Sequence, residues 1–141
     1  KDASDHMGYF RDISTFGGCT AGPAAALENM RIIEDENLLE NCTARGAQLI
    51  ANLEALAKKH SIIGDVRGGQ GLMTAIEMVA DRTTKQPIDG ASAATVQEVA
   101  YQNGAMIRVS GPNIILSPSL VLTEQDTNTI LSALDTAFAA V

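Results

Sequence analysis

The sequence predicts an α+β fold, a small mixed or antiparallel sheet covered by helices. Three observations carry that expectation. Apolar residues recur at helical spacing in four stretches, near residues 23–33, 38–59, 92–102 and 123–141. Short apolar runs broken by glycine lie between them, at 62–79 and 105–120. The resulting order, helix, helix, strands, helix, strands, helix, is that of a mixed layer.

Pro23 predicts the first helix start, because a proline at the first helical position forgoes only an N–H that has no partner. Leu27, Met30 and Ile33 form its stripe, and the segment EDEN at 34–37 interrupts it. A second helix is predicted from Leu38 to Lys59, with Leu39, Cys42, Leu49, Leu53 and Leu56 along one side. Lys58 and Lys59 suit its negative end. The run IIGDVRGGQGLMTAIEMV reads as one or two strands, with Gly68, Gly69 and Gly71 predicting a bulge or kink between Val66 and Leu72. ADRTTKQPIDG is a polar loop. Ser92 is the expected cap of a helix ending near Gln102, with Val96, Val99 and Ala100 on one face and Asn103-Gly104 as its stop. AMIRV and NIILSPSL are short strands around the turn SGPN. Thr123, with Asp126 three residues on, predicts a capping box for a last helix striped by Ile130, Leu134, Phe138 and Val141.

The 141 residues suffice for one ordinary domain, and 45% of them are apolar. A formal charge of −7 argues against nucleic acid, whose phosphates call for a basic face. No apolar run reaches the ~18 residues of a membrane span, and no polybasic patch is present. Cys19 and Cys42 lack any C-x-x-C pairing, which points to reduced thiols in a cytosolic protein. His6 and His60 are isolated, so no metal site is expected. Asn41-Cys42-Thr43 formally fits a glycosylation acceptor but falls inside a helical pattern.

Two places invite chemistry. In DISTFGGCTAGP, Gly17 and Gly22 have the spacing of a Walker A loop, but Pro23 stands where its lysine must be. What remains is a pair of hydroxyls, Ser14 and Thr15, beside backbone N–H groups near Gly17, which can hold a phosphate's outer oxygens. An ordinary loop before a helix is the commoner use of such a turn. Arg108, in an apolar strand close to a turn, can grip a carboxylate through two parallel hydrogen bonds; the alternative is an arginine that snorkels to water or pairs with an acid. Arg67, between strands and glycines, is expected to be structural, holding backbone carbonyls around the kink. GGQG at 68–71 lacks the third glycine of a dinucleotide fingerprint and precedes a strand.

Taken as an ordered set, TFGGCTAGPAAALENMRIIEDENLLEN, IGDVRGGQGLMTAIEMV and GAMIRVSGPNIILSPSLVLTEQD resemble the C-terminal part of class III, or omega, aminotransferases, enzymes of fold type I that depend on pyridoxal 5′-phosphate (PLP). The resemblance runs from about Tyr9 to Val141. It implies a cofactor-phosphate turn at residues 1–22, as a remnant of the large domain, and a linking helix with the small C-terminal domain at 23–141. It implies that Thr15 reaches the phosphate of PLP bound mainly by a neighbouring subunit, assisted by the backbone at Ser14 and Phe16. It implies that Arg108 is the mobile clamp for a substrate carboxylate. The parent is then expected to be a homodimer that moves an amino group from an omega-amino acid or amine donor to a 2-oxo acid such as pyruvate or 2-oxoglutarate. VRGGQGLM is one residue longer than the family's usual segment, which again predicts a bulge.

The lysine that carries PLP, the aspartate at its pyridinium nitrogen and the stacking aromatic belong upstream of Lys1 by the same resemblance. No catalytic residue is therefore expected in this chain, and the segment alone is expected to be inactive. Racemases, decarboxylases and lyases share the fold, and a non-enzymatic α+β interaction domain is the alternative outside enzymology.

Overall fold

The computed structural model describes residues 15–141. They fall into two compact units, one ending at Glu36 and one spanning Asn37 to Val141. The first unit contains α1, Ala21–Asp35. It starts two residues before Pro23. The proline still falls in the first turn, where its missing N–H costs nothing, and the Ala24 N–H bonds back to the Thr20 carbonyl at 3.4 Å. None of the α1 residues is buried; Leu27 and Met30 of the predicted stripe are 65% and 51% exposed. Arg31 braces the helix surface through Glu28 and Asp35, at 2.5 and 2.7 Å. Asn37, in the left-handed region at φ 51°, ends this run.

The second unit holds α2 (Leu38–Lys59), β1 (Ile63–Gly68), β2 (Thr74–Asp81), β3 (Gln86–Pro87), α3 (Gly90–Gln102), β4 (Arg108–Ser110), β5 (Asn113–Leu116) and α4 (Glu124–Phe138). The sheet order is β1-β2-β5-β4, with β3 beside β2, and the pairings are antiparallel. The expected α+β class therefore holds, with the antiparallel form of the sheet.

Alternation along the strands sets two faces. Ile76 and Met78 of β2 and Ile114 and Leu116 of β5 point into the core, where they meet Leu53 of α2, Val96 and Ala100 of α3, and Leu134 and Phe138 of α4. The residues Leu53, Ile76, Met78, Val96, Ile114 and Leu134 are fully buried. Each such side chain contributes roughly 1.5–3 kcal/mol on leaving water. Leu49, Leu72 and Leu122 form a smaller second cluster.

Several details differ from the sequence expectation. The bulge in β1 lies between Ile63 and Asp65, at Gly64, not between Val66 and Leu72. Without it, Ile63 would share the outward parity of Asp65 and Arg67; the extra residue turns Ile63 inward to pair with Met78. A Cβ on residue 64 would sit 2.6 Å from a Val79 methyl, so any side chain there would push the buried Val79 out of place. The glycines at 68, 69 and 71, all at positive φ, instead make the connection between β1 and β2. Asp89, rather than Ser92, caps α3: its carboxylate accepts from the Ala91 and Ser92 N–H groups at 2.9 and 3.0 Å. Leu39 is 65% exposed, because the buried stripe of α2 runs through its neighbour Leu38 and then Gly46, Leu49 and Leu53. Val141 lies past the end of α4 and is exposed. The predicted capping box of α4 is present, with Thr123 and Asp126 bonded reciprocally.

Candidate functional site

Thr15 and Phe16 open a turn in which the Cys19 N–H donates to the Phe16 carbonyl at 2.9 Å. Both are exposed, Phe16 by 83%. The turn leads into α1, whose N-cap residue Thr20 makes no side-chain cap. An exposed hydroxyl beside backbone amides can donate to an anion's oxygens. Ser14, the third candidate of this turn, and His6 lie outside the described residues.

Arg108 belongs to the second unit, so the candidates divide into two groups. It opens β4, an edge strand of three residues whose one neighbour in the sheet is β5. Pairing puts Arg108 opposite Ile115, Ile115 opposite Ala75, and Ala75 opposite Arg67. These four stand in one row on the sheet face away from the core. The next row is Ser110, Asn113, Glu77 and Asp65. Arg108 is exposed and makes no ion pair or side-chain hydrogen bond among the described residues. It borders a cavity of about 370 Å³ whose walls include Met106, Ile115, Ser117, Asp126 and Thr129. The Asp126 carboxyl is held below its ordinary range by the Thr123 hydroxyl and backbone N–H.

Arg67 takes a different role from the one its sequence context suggests. It holds side chains, not backbone carbonyls: Nη1 donates to Asp65 Oδ2 at 2.8 Å and to Glu77 Oε2 at 2.7 Å, and Nη2 to Asn113 Oδ1 at 3.0 Å. These acids hold its guanidinium more firmly protonated, Glu77 foremost and then Asp65. The residue that does clasp carbonyls is Arg82, which the sequence leaves in a polar loop. Its guanidinium donates to the carbonyls of Ala57, His60 and Ile63, gathering the end of α2 and the start of β1. His60 is a helix-end residue, as expected, and its Nε2 lies 2.5 Å from Asp135 of α4. Asn41, whose motif is formally a glycosylation site, donates to the Leu120 and Leu122 carbonyls at 2.8 and 3.0 Å and so ties α2 to the segment after β5. Single-residue context gives no signal for Arg82 or Asn41, because their partners lie 19 to 81 positions away.

A family model described as aminotransferase class-III matches residues 6–138. The chain belongs to the class III aminotransferases. It is 50% identical over 148 aligned positions to the taurine–pyruvate aminotransferase of Bilophila wadsworthia strain 3_1_6, covering all of this chain and 32% of that protein. It is 47% identical to the hypotaurine/taurine–pyruvate aminotransferase of Paracoccus denitrificans, again across the whole chain and 32% of the relative. Among solved structures, an amine transaminase from an uncultivated Pseudomonas species in its PLP-bound form superimposes with a TM-score of 0.88 at 37% identity, over 98% of this chain and 31% of that one. This class III segment thus has the architecture of part of a fold type I transaminase, and it spans about a third of the length of the relatives it matches. Among its described residues no helix is long and apolar enough to cross a membrane, and no three His, Cys, Asp or Glu side chains gather as a metal-binding group.

Proposed function

We propose that the full-length protein carrying this segment is a PLP-dependent aminotransferase that moves an amino group from an omega-amino acid or amine to a 2-oxo acid. Pyruvate is the acceptor named in relatives 47–50% identical to this chain. The observation that carries the reading is Arg108: a guanidinium without an internal partner among the described residues, at the rim of a cavity. A fixed fork of N–H donors in that position binds a carboxylate with two parallel bonds and orients the oxo carbon behind it.

The residues present fit one part of the cofactor. The turn at Thr15 has an exposed hydroxyl and backbone amides, which suits a phosphate. The described lysines, Lys58, Lys59 and Lys85, are all exposed, and Lys59 is engaged by Asp135, so none is placed to carry the ring. PLP, when bound, supplies the carbonyl that takes up nitrogen and the electron sink that the exchange requires. Thr15, with the backbone at Ser14 and Phe16, would hold its phosphate. Arg108 would bind the acceptor's carboxylate and leave room for donors that lack one. The two groups serve one active site if the enzyme is a homodimer in which the turn of one subunit reaches the cofactor of its neighbour. The unpaired thiols fit a cytosolic location.

The test uses the full-length enzyme with pyruvate and an amine donor that has no acid group. Alanine should form, and Arg108→Ala should raise the KM for pyruvate by roughly ten- to a hundredfold, the value of a charge-assisted contact, with a far smaller effect on the donor. Absence of alanine refutes the reaction; equal effects on both substrates remove Arg108 from the carboxylate site.

A further inference from the structure

The Arg67 guanidinium spans three strands. It is bonded to Asp65 of β1, to Glu77 of β2 and to Asn113 of β5. Asn113 is in turn the strand partner of Ser110, the last residue of β4. Between them lie only Gly111, at φ 57°, and Pro112. A side chain rooted in the far edge strand therefore fixes the turn from which β4 hangs. Arg108 stands two residues along that strand, on the same face of the sheet, in the row that Arg67 itself begins.

Strand β4 needs such an anchor. It has three residues and pairs in the sheet only with β5, and short edge elements open locally at low free energy. The chain before Arg108 is held by the buried Ala105 and Ile107, by the Ala105 N–H on the Ala100 carbonyl at 2.9 Å and by Gln97 Nε2 on the Ile107 carbonyl at 3.3 Å; beyond Arg108, the half-buried Val109 and the pairing with β5 hold the strand. Two-pronged carboxylate binding is lost when the guanidinium wanders by more than about 0.5 Å. The Cα atoms of Arg67 and Arg108 are three strand spacings apart, roughly 14 Å, so Arg67 acts through the sheet and not on the same carboxylate. Asp65 and Glu77 also absorb the charge of Arg67, which leaves Arg108 as the uncompensated cation of the row among the described residues.

We infer that Arg67 is a positioning residue for Arg108, acting through Asn113 and the β4–β5 turn to hold the carboxylate clamp in register. This rests on the proposed role of Arg108. It gives the VRG segment a part in substrate recognition that its distance from the cavity conceals.

The test is a double-mutant cycle in the full-length enzyme, with pyruvate and the acid-free amine donor. Arg67→Met should raise the KM for pyruvate by roughly three- to thirtyfold, the usual range for coupling between distant sites, and leave the donor's KM within about twofold. Arg67→Lys should behave the same way, because its single nitrogen can replace Nη1 between Asp65 and Glu77 but supplies no second nitrogen for the bond that Nη2 makes to Asn113. In an Arg108→Ala background the Arg67 effect on pyruvate should vanish. Asn113→Ala cuts only the limb to β5 and should reproduce the selective loss at smaller size, also where Arg67→Met fails to fold. The inference is overturned if Asn113→Ala and any folded Arg67 variant leave pyruvate's KM unchanged or raise both KM values equally. It is also overturned if the Arg67 effect persists undiminished without Arg108. An Arg108→Ala enzyme that does not discriminate between the substrates refutes the clamp itself, which is a separate outcome.

Discussion

Thr15 and Arg108 illustrate what single side chains contribute to the proposed chemistry. Thr15 is an exposed hydroxyl in a short turn, and its value lies in the O–H it can donate to a phosphate oxygen. In the full-length enzyme, Thr15→Ala should weaken PLP retention by roughly ten- to a hundredfold, as expected for one hydrogen bond to a charged group. Equilibrium dialysis of PLP against the apoenzyme measures this without relying on turnover, and an unchanged affinity would take Thr15 out of the phosphate site. Arg108 and Arg67 show why residue type alone is ambiguous. Both are exposed arginines in short strands, at the two ends of one four-residue cross-strand row. Arg67 is engaged by two carboxylates and an amide; Arg108 has no such partner among the described residues. Only the pairing of strands distant in sequence separates the braced cation from the available one.

Between elements, Gly46 is the described glycine with the least room for a side chain. A Cβ on Gly46 of α2 would clash with the Gly71 carbonyl oxygen, in the turn between β1 and β2. Two effects compete in Gly46→Ala. Alanine is the better helix former by about 1 kcal/mol. The added methyl, however, meets backbone that cannot rotate away, and overpacking of this kind costs about 1–3 kcal/mol. Destabilisation should win, and chemical denaturation of Gly46→Ala should show it; an increase in stability would mean that the turn yields freely. The helix ends follow more local rules. The Thr123–Asp126 box was legible because both halves lie within four residues. The cap of α3 was misplaced by three, since Asp89 and Ser92 are both good capping residues and lie one turn apart. Their side chains bond to each other at 2.7 Å, so Ser92 supports the cap without being it.

For the molecule as a whole, acidic side chains engaged in hydrogen bonds set the response to pH. Asp135 is held below its ordinary range by hydrogen bonds from Lys59 and then His60. Asp126, Asp89 and Asp81 are lowered by Thr123, Ser92 and Thr84 in turn. A carboxyl whose pKa is lower in the folded state binds fewer protons there than in the unfolded chain. Its contribution is therefore complete above the unfolded value, near 3.9, and is lost as pH falls through the folded one. The melting temperature should accordingly drop on acidification below about pH 4. Asp135→Asn should lower it at neutral pH and flatten the acid limb, because its ties to α2 no longer depend on a proton. A pH profile parallel to that of the unsubstituted protein would show that the Asp135 contacts carry no stability. Lys59 is 59% exposed, so the better-shielded His60, at 9%, is the partner expected to matter more.

Local residue patterns missed the two-residue β3, which lies in a stretch that reads as a polar loop, but were enough for the four helices and the main strands in their order, the helix from Leu38 to Lys59, the capping box of α4 and membership of the class III family. These depend on residues close together in the chain, where a 3.6-residue period, a glycine or a cap has the same meaning in any surroundings. Long-range packing fixes the bulge at Gly64, the clasp of Arg82 and Asn41 on distant carbonyls, and the shared row of Arg67 and Arg108. In each case the partner lies on another strand or helix. A one-residue shift of register turns every side chain of a strand to the opposite face, so no local pattern can say which side chains meet.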